Sequence, residues 1–208
     1  ALRMAYKQKI YVVPFVGAAV FFWHDLSFVL NYHEWFVTYN HWWVKMWWYA
    51  LTATVLLEAF MVLQVFQYGH QELWPQLSRR AFGVVILLGT LGVGAMWFLI
   101  KSTLHDPLFF VTFAITAVWS VPFHTGLMVK RRSRAGQSVV MEASVVVMIV
   151  SMSAAFSQID PFFRSPAYLA FAVTFTLWPL ANIYLILKLP PYQPEAQPLP
   201  AGAAPAAA

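Results

Sequence analysis

Six stretches of about 20 mostly apolar residues, roughly 10–31, 46–67, 81–101, 107–128, 138–157 and 166–188, restrict this chain to very few folds. At 1.5 Å per residue each matches the ~30 Å hydrocarbon core of a bilayer as a helix. Only 10% of residues are charged and mean hydropathy is +0.63, whereas soluble domains carry about 25% charged residues. The expectation is an all-α, polytopic transmembrane helical bundle of six spans over residues 1–188. Residues 189–208 hold six of the thirteen prolines and no apolar periodicity, and read as a Pro/Ala-rich disordered tail. The chain opens at Ala1 with ALRMAYKQK, which reads as the end of something preceding it, so a seventh span is expected in the full-length protein.

Alternate loops of such a bundle share a side, and cytoplasmic loops hold most Lys and Arg. Arg3, Lys7, Lys9, Arg79, Arg80, Lys130, Arg131, Arg132, Arg134 and Lys188 fall on one side, and Lys45, Lys101 and Arg164 on the other. Ten against three accounts for all thirteen, which assigns both ends of the chain to the cytoplasm and explains the net charge of +5 as orientation. No nucleic-acid-binding motif occurs. Without cysteine, disulfides, thiolate metal sites and thiol nucleophiles are excluded.

Three acids lie inside apolar runs: Asp25, Glu58 and Glu142. A charged group at the bilayer centre costs at least about 2.5–3.5 kcal/mol, so each is expected to face a protein interior, with function as the default reading. Asp25 lies about six residues from the outer end of span one. Glu58 lies midway along span two, one turn after Thr54, with Gln64 and Gln67 following. The two acids can approach at similar depth, Glu58 the deeper, and paired carboxyls in a low dielectric keep a proton available at neutral pH. The bland alternative for Glu58 is an interhelical hydrogen bond to Thr or Gln. His24 adjoins Asp25, but consecutive helical positions point about 100° apart, so adjacency predicts no dyad. His124 follows Pro122 in span four, where interhelical hydrogen bonding is preferred over ligation of a haem or metal. His33, His41, His70 and His105 read as solvated loop residues.

Aromatic residues make up 18% of the chain. Trp35, Trp42, Trp43, Trp47 and Trp48 gather at the outer end of spans one and two and read as an interfacial belt. Phe21, Phe22, Trp23 and Phe28 surround Asp25, and Trp97, Trp119 and Trp178 lie in other spans. Ring faces of this kind can line an apolar cavity and stabilise positive charge by about 2 kcal/mol or more when desolvated. An acid beside them suits protonation of an alkene or epoxide followed by carbocation chemistry.

The segment Lys9-Ile10-Tyr11-Val12-Val13-Pro14, followed eleven residues after Pro14 by Asp25 in Phe22-Trp23-His24-Asp25, resembles the opening of the membrane-bound terpene cyclases of fungal indole-diterpene and meroterpenoid and bacterial drimane-indole pathways. In that family a Lys-x-Tyr-x-x-Pro motif precedes a Phe-x-Trp-Glu segment with a catalytic Glu; here Asp replaces Glu and His replaces Trp. Glu58 stands eleven residues before Gly69 of Tyr68-Gly69, similar to the family's second intramembrane acid. The loop Lys130-Arg131-Arg132-Ser133-Arg134-Ala135-Gly136-Gln137-Ser138 resembles its Arg- and Gly-rich turn. The family's late-helix Asp near a Tyr has no acidic counterpart, Asn182 before Tyr184 being the nearest polar residue.

The resemblance implies a cyclase acting on a hydrophobic prenylated small molecule within the lipid bilayer. Asp25 would protonate the chain with Glu58 assisting, and Glu142, His124 or Asn182-bound water would be candidates for the final base. The chain lacks the Asp-rich cluster of Mg²⁺-dependent diphosphate ionisation, so neither metal nor cofactor is implied. A small proton-coupled transporter is the principal alternative, supported by Gly89, Gly92, Gly94 and Pro122 within spans. A non-catalytic subunit binding haem or lipid is the third reading.

Overall fold

A computed structural model describes residues 2–104, 106 and 109–192, the side chains of Phe110 and Ala117 excepted. The expectations for His105 and for the tail over 193–208 lie outside the described residues. Among the described residues there is no strand. The helices are α1 (Leu2–Gln8), α2 (Phe15–Leu30), α3 (Trp42–Tyr68), α4 (His70–Leu73), α5 (Arg79–Leu104), α6 (Phe110–Val118), α7 (Ser120–Arg131), α8 (Val139–Phe156) and α9 (Pro166–Lys188). A π-helical turn, Glu34–Thr38, and a 3₁₀ turn, Pro161–Arg164, complete the order.

Five helical stretches are long and apolar enough to cross a membrane: α3, α5, the stretch Val111–Arg131 through α6 and α7, α8 and α9. Leu56, Leu88, Leu99, Val147 and Leu177 are among the many large apolar side chains these helices turn outward. In water such a surface would aggregate; in lipid it is the solvated face. Together they make this an integral membrane protein.

The first expected span, over 10–31, forms a shorter helix than the sequence suggests. Lys9 adopts φ +52°, which ends α1 and turns the chain. Ile10, Tyr11, Val12 and Val13 then run buried but outside any helix up to Pro14, the cap of α2. Proline removes an N–H and fixes φ, so the helix begins after it. The remaining 16 residues rise about 24 Å at 1.5 Å each. α2 packs mainly against α3 and α5, and more lightly against α6. Its Trp23 indole donates to Thr90 O of α5 at 2.7 Å, and Gly94 leaves the space that this indole fills. Gly17 admits Phe123 of α7, and Phe28 and Leu51 of α3 join one apolar cluster.

The loops meet at two ends. At one, Arg131 donates to Glu72 Oε2 (2.8 Å), Tyr11 O (3.0 Å) and Ala135 O (3.1 Å), with its guanidinium 4.7 Å from the Tyr11 ring centre. Gly136 N donates to Gln8 Oε1, and Arg134 N to Pro190 O. The segments carrying most of the basic residues therefore share one end, as the alternation of loops requires. At the other, Phe28, Trp35, Val44 and Phe109 pack together, and Trp35, read above as an interfacial anchor, is fully buried.

Candidate active site

Asp25 is placed by the register of α2, whose apolar face leaves His24, Asp25 and Ser27 turned inward. Its Oδ1 lies 2.7 Å from His24 Nδ1, and its Oδ2 accepts from Thr54 Oγ1 of α3. The expectation that adjacency gives no dyad is therefore overturned. The Cβ vectors do diverge, but Nδ1 is the ring nitrogen nearest the backbone, and rotation of two short side chains brings it onto the neighbouring carboxylate. Glu58, one turn beyond Thr54, is buried and close enough to Asp25 for the two carboxyl groups to interact. Its Oε2 is buried without a hydrogen-bond partner.

Aromatic rings enclose this group. The His24 ring lies 5.2 Å from Trp97, 6.0 Å from Phe109 and 5.4 Å from Phe113. Trp97 is itself anchored by its indole N–H to Ser27 Oγ at 3.0 Å. Phe28, Trp43, Trp47, Phe109, Phe113 and Phe156 line an adjoining pocket that exposes no polar surface. Its free volume is ≈ 20 Å³, about one water molecule.

The structure sorts the expected binding residues. Phe28 and Trp97 stand at the site. Trp23 instead packs on α5, with Phe22 stacked edge-on against it at 5.3 Å, and Phe21 packs against the cluster of Ala5, Val12 and Val62. Trp119 packs near Phe123 at the junction of α6 and α7. Tyr184 faces outward at 62% exposure. Trp43, Trp47, Phe113 and Phe156 were missed as lining residues. The interfacial signal of a Trp cluster hid the first two, since belt and cavity wall share one composition.

His124, Glu142 and Asn182 form a second buried group, joining α7, α8 and α9. His124 Nδ1 lies 2.7 Å from Glu142 Oε1, and Asn182 Nδ2 donates to Glu142 Oε2 and to Val121 O, each at 3.2 Å. Thr125 Oγ1 donates to Asn182 Oδ1 at 2.6 Å and accepts from the Trp178 indole at 2.8 Å. The interhelical hydrogen bonding expected of His124 is thus present.

At the basic end Tyr11 and Glu72 titrate abnormally. Burial, reinforced by the Glu72 charge, pushes the Tyr11 phenol up. Burial raises the Glu72 carboxyl, but the hydrogen bonds and charge of Arg131, with Lys130 behind it, outweigh this and hold it below the usual carboxylate value. Among the described residues no three His, Asp or Glu side chains converge as a metal site. No protein family, curated protein or solved structure matches the chain, so its function is read from this site and from the motifs in its sequence.

Proposed function

We propose that the protein is a membrane-bound terpene cyclase that closes rings on a linear prenyl chain, or its terminal epoxide, after protonating it. The observation that carries this reading is two neighbouring carboxyl side chains, Asp25 and Glu58, both buried beside a pocket walled by aromatic rings. A proton held there meets little water, and the rings offer π faces to each successive cation. The resemblance of Lys9–Pro14, Phe22–Asp25 and Glu58–Gly69 to the cyclase motifs points the same way. The basic end is placed in the cytoplasm by the excess of Lys and Arg.

The test is product analysis by mass spectrometry. Membranes holding the wild type or Asp25→Asn are given farnesylated and geranylgeranylated indoles and their epoxides. The expected result is an isomeric cyclised product from wild type that falls by about 10²–10⁴-fold in the variant, the range for loss of a general acid. Equal product from both would remove Asp25 from the chemistry.

A second reading, proton-coupled transport, is favoured by one observation: buried carboxyl groups lie at two separate places in the bundle, and Pro179 inside α9 precedes by three residues the Asn182 that bonds to Glu142. Absence of product across the panel, together with proton uptake by liposomes holding the protein, would select it.

A further inference from the structure

We infer that His24 Nε2, rather than a carboxyl oxygen of Asp25, is the atom that hands the proton to the substrate. The inference rests on the cyclase reading above and concerns which group of that site touches the reacting carbon.

Both oxygens of Asp25 are engaged. One is taken by His24 Nδ1 at 2.7 Å and the other by the Thr54 hydroxyl. A carboxylate surrounded by donors is an anchor and a counter-charge, and delivering a proton from it would mean breaking this set. His24 is the reverse case. Its ring is 1% exposed, and Nε2, on the side away from Asp25, is buried without a hydrogen-bond partner. A buried, unmatched ring nitrogen is costly in a native structure and calls for an explanation. Its neighbours supply one: Phe109 and Phe113, both in ring contact with His24, are also walls of the aromatic pocket. A chain lying among these rings would bring its reacting end toward Nε2.

To deliver a proton, His24 must carry one on each nitrogen, Nδ1 donating to Asp25 and Nε2 left for the substrate. The groups around the imidazole are Asp25 on its own helix, Thr54 and Glu58 on α3 beyond Asp25, Trp97 on α5 and Phe109 and Phe113 at α6. In the step itself the Nε2–H bond breaks and its electron pair stays on nitrogen. The π pair of the terminal alkene forms the new C–H bond, or an oxygen lone pair of the epoxide forms the O–H bond as the C–O bond opens. The cation is captured by the next alkene, and the C–H proton lost at the end balances the one taken, so the product is an isomer of the substrate. Asp25 and Glu58 are then positioning residues that hold the imidazolium and offset its charge.

The test compares wild type, His24→Asn and His24→Ala on the same substrate panel, with melting in detergent as the folding control. His24→Asn retains a short donor toward Asp25 but has nothing at Nε2. The expected result is a folded protein with a somewhat lowered melting point and product lowered by about 100-fold or more at temperatures where it stays folded, and partial recovery of His24→Ala when imidazole is added, which a structural role would not give. Product from His24→Asn within about threefold of wild type overturns the inference and leaves the cyclase standing. If His24→Asn does not fold, His24→Ala decides: recovery with imidazole supports the inference and failure to recover overturns it. No product from wild type on any substrate overturns the cyclase reading, and the inference falls with it.

Discussion

The bundle holds two histidine–carboxylate pairs with the same 2.7 Å contact through Nδ1, and their neighbours differ in kind. His24–Asp25 lies on one helix, in contact with a second acid and with rings that border a pocket. His124–Glu142 joins two helices, and Asn182 ties the free carboxylate oxygen to a third. Identical pairwise geometry thus sits in two different settings. Both rings keep a buried Nε2 without a partner, so the difference lies around them: an aromatic pocket and a second acid beside the first pair, and a further hydrogen bond across a helix junction at the second.

Crossed substitutions put that contrast under the greatest strain. Glu142→Ala should lower stability by about 3–5 kcal/mol, the range for removing one partner of a buried pair and leaving the other unmatched. Asp25→Asn, which keeps the shape of the side chain, should cost less stability than Glu142→Ala while removing product. Detergent melting curves run beside product assays read both, and a Glu142 variant that melts normally but makes no product would merge the two sites into one.

A smaller effect concerns the basic end, which fixes the frame on which both pairs stand. Glu72→Gln should cost about 1.5–3 kcal/mol, as expected for hydrogen bonds to a charged group. Its carboxyl titrates lower in the folded protein than in the unfolded chain. Its contribution is therefore complete above the unfolded value of about 4.3 and disappears as pH falls through the lower folded value. Melting followed from pH 7 downward should show wild type and Glu72→Gln converging only below about pH 4; a gap that persists at lower pH would assign the effect to shape rather than charge.

The smallest is Trp178→Phe, which deletes the hydrogen bond to Thr125 at the rim of the second group. Interhelical hydrogen bonds inside membranes average about 0.6 kcal/mol, so a shift near that size is expected in reversible unfolding, with product distribution untouched. A changed distribution would show that the second group also touches substrate.

Much of this architecture is legible from local properties. Hydropathy over about 20 residues marks the bilayer crossings, and the Lys and Arg pattern groups the loops that the structure gathers at one end. Acids buried in apolar runs announce themselves, because the cost of a charge in lipid leaves few of them there without a reason. Asp25, Glu58 and Glu142 all prove to be interior, and Asp25 and Glu58 meet as their depths suggest.

Tertiary structure alone decided the rest, because it depends on which helices become neighbours and on which rotamers their side chains take. Pairing of His24 with Asp25 followed from side-chain rotation that no helical period encodes. Trp35 is fully buried, the half-buried Trp43 and Trp47 line the pocket, and Trp23 and Tyr184 stand away from the expected cavity, because a ring in an apolar sequence suits lipid, interface and pocket equally well. Glu142 met His124 and Asn182 through contacts spanning 18 and 40 residues of sequence. Local hydrophobicity sets what must be buried or bathed in lipid; only the packing of distant helices chooses what each buried polar atom will face.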